Sequence, residues 1–218
     1  MKYFIKVLHL LILSFAFVMV SCIEIIQQVD INSDKSGTYT LKIDLGLLNY
    51  TGAGGTDAMA FLSQVKELPP KAVEKLKTMG GLSAVENITN EGKGIYGFKF
   101  NFVNDKVFNK ALYDLADQQK LFFMPDFIKI KRHKIKVTDI SPFVKKANSM
   151  SQQKQEQSFS FISDQFSQYV FFNTIIQLPS AVKKAANPRS EILDNEVKLR
   201  YPLSDLVKGI DYGNIIKY

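Results

Sequence analysis

A single cysteine, Cys22, constrains this chain more than any other residue. With no second thiol there is no intrachain disulfide, so any fold must rest on buried apolar surface. Cys22 also closes an apolar segment, Val18-Met19-Val20-Ser21-Cys22. Lys2 and Lys6 make a basic start, and Val7 to Val20 follows, almost wholly apolar apart from His9 and Ser14. That run is about 14 residues long, short of the roughly 20 that a membrane-spanning helix needs. A basic start, a short apolar core and a small residue before the cut make a secretory leader. Ser21 supplies the small residue and Cys22 the thiol that a diacylglycerol transferase modifies, the layout of a bacterial lipoprotein signal. Met19, three positions before the cysteine, is less usual there than leucine. The expectation is a removed signal over residues 1–21 and one domain over 22–218, tethered to a membrane by lipid at Cys22.

Losing Lys2 and Lys6 and no acid lowers the formal net charge from +7 to +5. So mild an excess defines no partner, and export excludes nucleic acid as an expected one. Attraction to an anionic membrane surface stays open.

The mature length suffices for a real core, and 17 Phe with nine Tyr point to an ordered chain. Ile23 to Ile31 reads as a strand, 32–37 as a turn, and Thr38 to Leu45 as a second strand with Tyr39, Leu41, Ile43 and Leu45 on one face. Ala58 to Leu68 and Lys71 to Met79 read as two short helices parted by Pro69-Pro70, and Gly80-Gly81 stops the second. Leu82 to Thr89 and Ile95 to Phe102 form a hairpin whose second strand lines up Tyr96, Phe98, Phe100 and Phe102. These rings wall either the core or a lipid pocket, and the core is the default. Asn104 or Asp105 caps a helix with an apolar stripe of Val107, Phe108, Ala111, Leu112 and Leu115. Strands follow over Phe127–Thr138, Tyr169–Leu178 and Glu196–Tyr201, then a helical turn from Pro202. Between them, 142–160 is a polar, Gln-rich excursion, helical or flexible. The sum is an α+β, two-layer fold: a mostly antiparallel sheet of five to seven strands, covered by helices on one face.

Motifs for chemistry are sparse. Gly52-Ala53-Gly54-Gly55 lacks the spacing of a nucleotide fingerprint and reads as a surface loop, with an anion nest as the alternative. His133 is the sole histidine after the leader; Asp139 is too far along the same strand to orient it, so a catalytic role would need Ser141 or a carboxylate supplied by the fold. Asp114 and Asp117 lie opposite the apolar stripe of their helix and read as solvated. No metal-ligand spacing and no cofactor motif is present, and the expectation is a protein that is not an enzyme.

Lys129, Lys131, Arg132, Lys134 and Lys136 form the densest basic run. Within one strand, its apolar phase would switch near Arg132-His133, which a bulge or a strand leaving the sheet would explain. Its lysines either guard an exposed edge or contact anionic head groups or an acidic partner.

The lipid signal, the early hairpin with Gly37-Thr38-Tyr39-Thr40, and the late run Leu178-Pro179-Ser180-Ala181-Val182, Ala186-Asn187-Pro188 and the strand around Val197 resemble LppM-type lipoproteins. The likeness omits the middle of the chain, 46–123. The family's C-terminal membrane segment is also missing, since 202–218 holds Asp205, Lys208, Asp211 and Lys217. The resemblance implies a membrane-anchored α+β domain, with lipid binding proposed for some members, and supplies no active-site motif.

The expected function is a lipid-anchored cell-envelope binding or assembly module, for lipid or a protein partner, on a periplasm-facing membrane. The alternatives are a structural or adhesive surface protein and an envelope hydrolase with an unfamiliar site.

Overall fold

The structure, a computed structural model, describes residues 23–46, 55–117, 124–142, 145 and 169–218, with the backbone alone over 55–61. The expectations for Cys22, for the Gly52–Gly54 loop and for nearly all of the Gln-rich excursion lie outside the described residues.

Among the described residues, eleven strands form two sheets. In chain order they are β1 (Ile23–Ile31), β2 (Gly37–Asp44), β3 (Leu82–Asn87), β4 (Ile95–Phe102), β5 (Ile128–Lys131), β6 (Lys134–Val137), β7 (Val170–Gln177), β8 (Lys184–Ala185), β9 (Glu191–Leu193), β10 (Glu196–Pro202) and β11 (Asn214–Lys217). Three helices join them among the described residues: α1 (Gly55–Lys77), α2 (Asp105–Leu115) and α3 (Leu203–Lys208). The larger sheet has the order β3-β4-β2-β1-β7-β10-β9 and the smaller β5-β6-β11-β8. The fold is mixed α and β.

The hairpins legible in the sequence set the register of the larger sheet. β1 and β2 pair antiparallel from Ile31↔Gly37 outward, and β2 continues onto β4 with Tyr39 opposite Phe100. β1 and β7 run parallel, Ile23 beside Val170. A parallel neighbour needs a long crossover, and here everything from β2 to β6 lies between the two strands.

The main core cluster draws on the larger sheet, the helices and the smaller sheet. Val29, Tyr39, Phe98, Phe100, Phe102, Ile176 and Leu199 pack in one cluster with Leu76 of α1, Phe108 and Ala111 of α2, and Ile130, Ile135 and Ile216 of the smaller sheet. The Phe108 ring stands 5.4 Å from Tyr39 and 5.1 Å from Phe102. Tyr96, by contrast, joins Ile23, Ile43, Leu45, Val65 and Val170 in a second cluster.

Three sequence expectations change. First, α1 is one helix of 23 residues that runs through Pro69 and Pro70. Each proline removes an N–H and leaves a carbonyl four residues back without its usual donor. Buried contacts on both sides offset that loss, since Val65 sits in one core cluster and Val73 with Leu76 in the other. Second, the strand expected over 127–138 is two strands, β5 and β6, paired Ile128↔Val137 through Lys131↔Lys134. The phase switch at Arg132-His133 is thus a two-residue turn, with neither a bulge nor a departing strand. Third, β6, β11 and β8 complete a second sheet, so helices share the covering of the core with strands.

Candidate functional site

The helical stripe Gln64, Glu67, Leu68, Lys71, Ala72 and Lys75 repeats at three- and four-residue spacing, so these residues share one face of α1. That face forms one wall of a cleft of about 660 Å³. The end of α2 supplies the other wall through Leu112, Leu115, Ala116 and Asp117, and Tyr39, Leu41 and Phe98 of the larger sheet form the floor. The volume falls within the roughly 300–1,000 Å³ usual for small-molecule sites. The floor is apolar, and the walls mix Leu68, Ala72, Leu112 and Leu115 with charged groups at the rim, where Lys71 pairs with Glu67 at 2.7 Å and Lys75 with Asp117 at 2.6 Å. The second pair joins α1 to the residue that leaves α2 with positive φ. The Lys71 ammonium holds the Glu67 carboxyl below its usual range by hydrogen bonding and charge. Burial pushes the Tyr39 phenol above its ordinary value, so it stays neutral beneath the cleft.

Phe98 belongs to the core cluster, the default reading of the aromatic strand, and also floors the cleft. Sequence reasoning missed the cleft wall because Pro69-Pro70 looked like a break between two helices. A stripe count carried across the prolines would have found it.

A second hollow, about 670 Å³, lies beside Thr138, Asp139, Asn187, Tyr201, Asp211 and Asn214. Its polar groups already serve one another. Asn187 Nδ2 donates to Tyr201 Oη at 2.8 Å and to the Gly213 carbonyl at 3.0 Å, while its Oδ1 accepts the Arg189 N–H at 2.9 Å. Asn214 Oδ1 accepts the N–H groups of Ala186 and Asn187. Asp139 accepts from Ser141 through both carboxylate oxygens and from the Tyr212 N–H. This network clamps the run 186–190 to the end of the chain, which accounts for Asn187 as structure.

The basic run resolves into a cationic sheet face. Lys129 and Lys136 are direct cross-strand partners, as are Lys131 and Lys134, with Arg132 exposed at the turn. The alternate positions Ile128, Ile130, Ile135 and Val137 are buried. His133 is exposed at the tip of this hairpin, its ring 6.4 Å from that of Tyr218. Ser141 lies beyond the other end of β6, 1% exposed and bonded to Asp139, so the fold does not bring His133 and Ser141 together. Asp114 is half-buried and Asp117 is taken up by Lys75. Among the described residues there is no cluster of metal-ligating side chains, and no helix is long and apolar enough to cross a membrane.

No protein-family model matches the chain, and no curated protein matches it. Among solved structures it is similar to the NMR structure of the folded domain of Mycobacterium tuberculosis LppM, over 91% of this chain and 91% of that one, with 9% sequence identity and a TM-score of 0.41. The likeness is weak, and no residue role is carried over from it.

Proposed function

We propose that the protein is a lipid-anchored cell-envelope lipoprotein whose folded body binds an amphiphile, with the apolar chain in the α1–α2 cleft and the polar head at its rim. The observation that supports this reading is the cleft itself: an apolar floor of Tyr39, Leu41 and Phe98 between two helices whose outer edges carry Lys71, Lys75, Glu67 and Asp117. Each methylene transferred from water onto such a floor contributes about 0.8 kcal/mol. The rim ion pairs are exposed and weak, so a charged head group can exchange with them at little cost. In this reading binding, rather than catalysis, is the role, and Cys22 supplies the tether on a periplasm-facing membrane.

The experiment is to purify the chain from Ile23 onward from its native host, extract it, and identify co-purifying lipids by mass spectrometry. A defined amphiphile present with wild type and absent from a folded Ala72→Phe variant, whose ring would fill the cleft, supports the reading. An empty wild type, with no saturable uptake of added long-chain amphiphiles, contradicts it.

A further inference from the structure

The basic run of β5 and β6 is one half of a larger surface. β11 pairs with β6 so that Lys217 stands opposite Lys134 and Ile215 opposite Lys136, and β8 then places Lys184 opposite Lys217. Paired residues share a face. Lys131, Lys134, Lys217 and Lys184 therefore form a row across all four strands, about 14 Å long at the usual strand spacing. Lys129, Lys136 and the exposed Ile215 form a second row beside it. No acid occupies a paired position on this face, and none of these six lysines is ion-paired to a described residue.

Elsewhere the same molecule sets opposite charges across its strands. Glu86 stands opposite Lys99 with 3.1 Å between their charged atoms, and Lys198 stands opposite Glu191. Like charges directly opposite one another are destabilising, so the lysine rows are not explained by sheet stability. Nor are they explained as guards of an open edge. The outer edge of β5 is already covered by α2: Asn109 bonds both the N–H and the carbonyl of Ile128, and Asp105 accepts the Ile130 N–H at 2.9 Å.

We propose that this lysine face of the smaller sheet docks flat on an anionic lipid bilayer, with Ile215 entering the head-group layer. The fit is one of charge: a cationic face with no acid at its paired positions complements a plane of anionic head groups, and each lysine near such a surface adds attraction that salt screens. The face shares none of the lining residues of the α1–α2 cleft, so this docking stands or falls separately from amphiphile binding.

The test uses the chain from Ile23 to Tyr218, which keeps every described element and lacks the leader and the lipid. Its partitioning onto phosphatidylcholine vesicles with and without 40% phosphatidylglycerol is measured by sedimentation at low and high salt. Expected are binding to the anionic vesicles only, loss of it at high salt, and a fall of about tenfold or more for Lys131→Gln/Lys217→Gln, with the circular dichroism spectrum unchanged. Lys129→Gln/Lys184→Gln is the second variant should the first misfold. Equal binding to both vesicle types, no binding to either, or wild-type binding by folded variants would overturn the proposal. So would preferential binding to a soluble acidic protein over the anionic vesicles.

Discussion

Lys129 and Lys136 stand directly opposite each other on the exposed face of the β5–β6 hairpin, and neither has a carboxylate partner among the described residues. Such a pair costs a few tenths to about 1 kcal/mol relative to a neutral one. Lys136→Glu would turn repulsion into a cross-strand ion pair. We expect it to raise the melting temperature by about 2–4 °C while weakening attachment to anionic vesicles. A thermal melt beside the sedimentation assay checks both.

Asn109 is 1% exposed and ties α2 to the edge of the smaller sheet. Its Nδ2 donates to the Ile128 carbonyl at 2.7 Å and its Oδ1 accepts the Ile128 N–H at 3.2 Å. Asn109→Leu keeps the branched shape and strands both backbone groups. The expected loss is roughly 2–4 kcal/mol, read from urea unfolding. A loss under about 0.5 kcal/mol would mean that the edge finds other partners.

Gly97 sits in β4 directly opposite Lys42 of β2. A Cβ there would lie 2.3 Å from the Leu41 carbonyl oxygen and 3.1 Å from Lys42 Cα, both backbone. Because backbone cannot swing aside as a side chain can, Gly97→Ala should destabilise by about 1–3 kcal/mol, measured in the same unfolding experiment. Unchanged stability would show that β2 and β4 separate freely.

The larger sheet was legible where period-two alternation met a turn. β1 and β4 occupy the residues the sequence assigned, and the Asn104 cap accepts the Val107 N–H at 3.0 Å. The smaller sheet was not legible, for a physical reason. Its strands are only two to four residues long, too short for alternation to register. The turn between β5 and β6 is Arg132-His133, which lacks the glycine or asparagine that marks hairpins. Four of the six lysines in the cationic face were visible as a run, whereas Lys184 and Lys217 join it only through pairings with β11. The cleft was hidden by Pro69-Pro70, which local propensity reads as a break and tertiary burial overrides.

Cys22 carries the anchoring claim. Wild type expressed in its native host should incorporate palmitate label and fractionate with membranes. Cys22→Ala should lose the label. Equal labelling of both, or of neither, contradicts lipidation at this residue.

The central claim, that the body binds an amphiphile between α1 and α2, is tested most directly by titrating the chain from Ile23 to Tyr218 with a dansyl-labelled long-chain fatty acid and following its fluorescence. The account predicts saturable one-to-one binding by wild type, abolished in Ala72→Phe and retained in Lys131→Gln/Lys217→Gln. Emission that rises without saturation, or saturates identically in a folded Ala72→Phe, would contradict it.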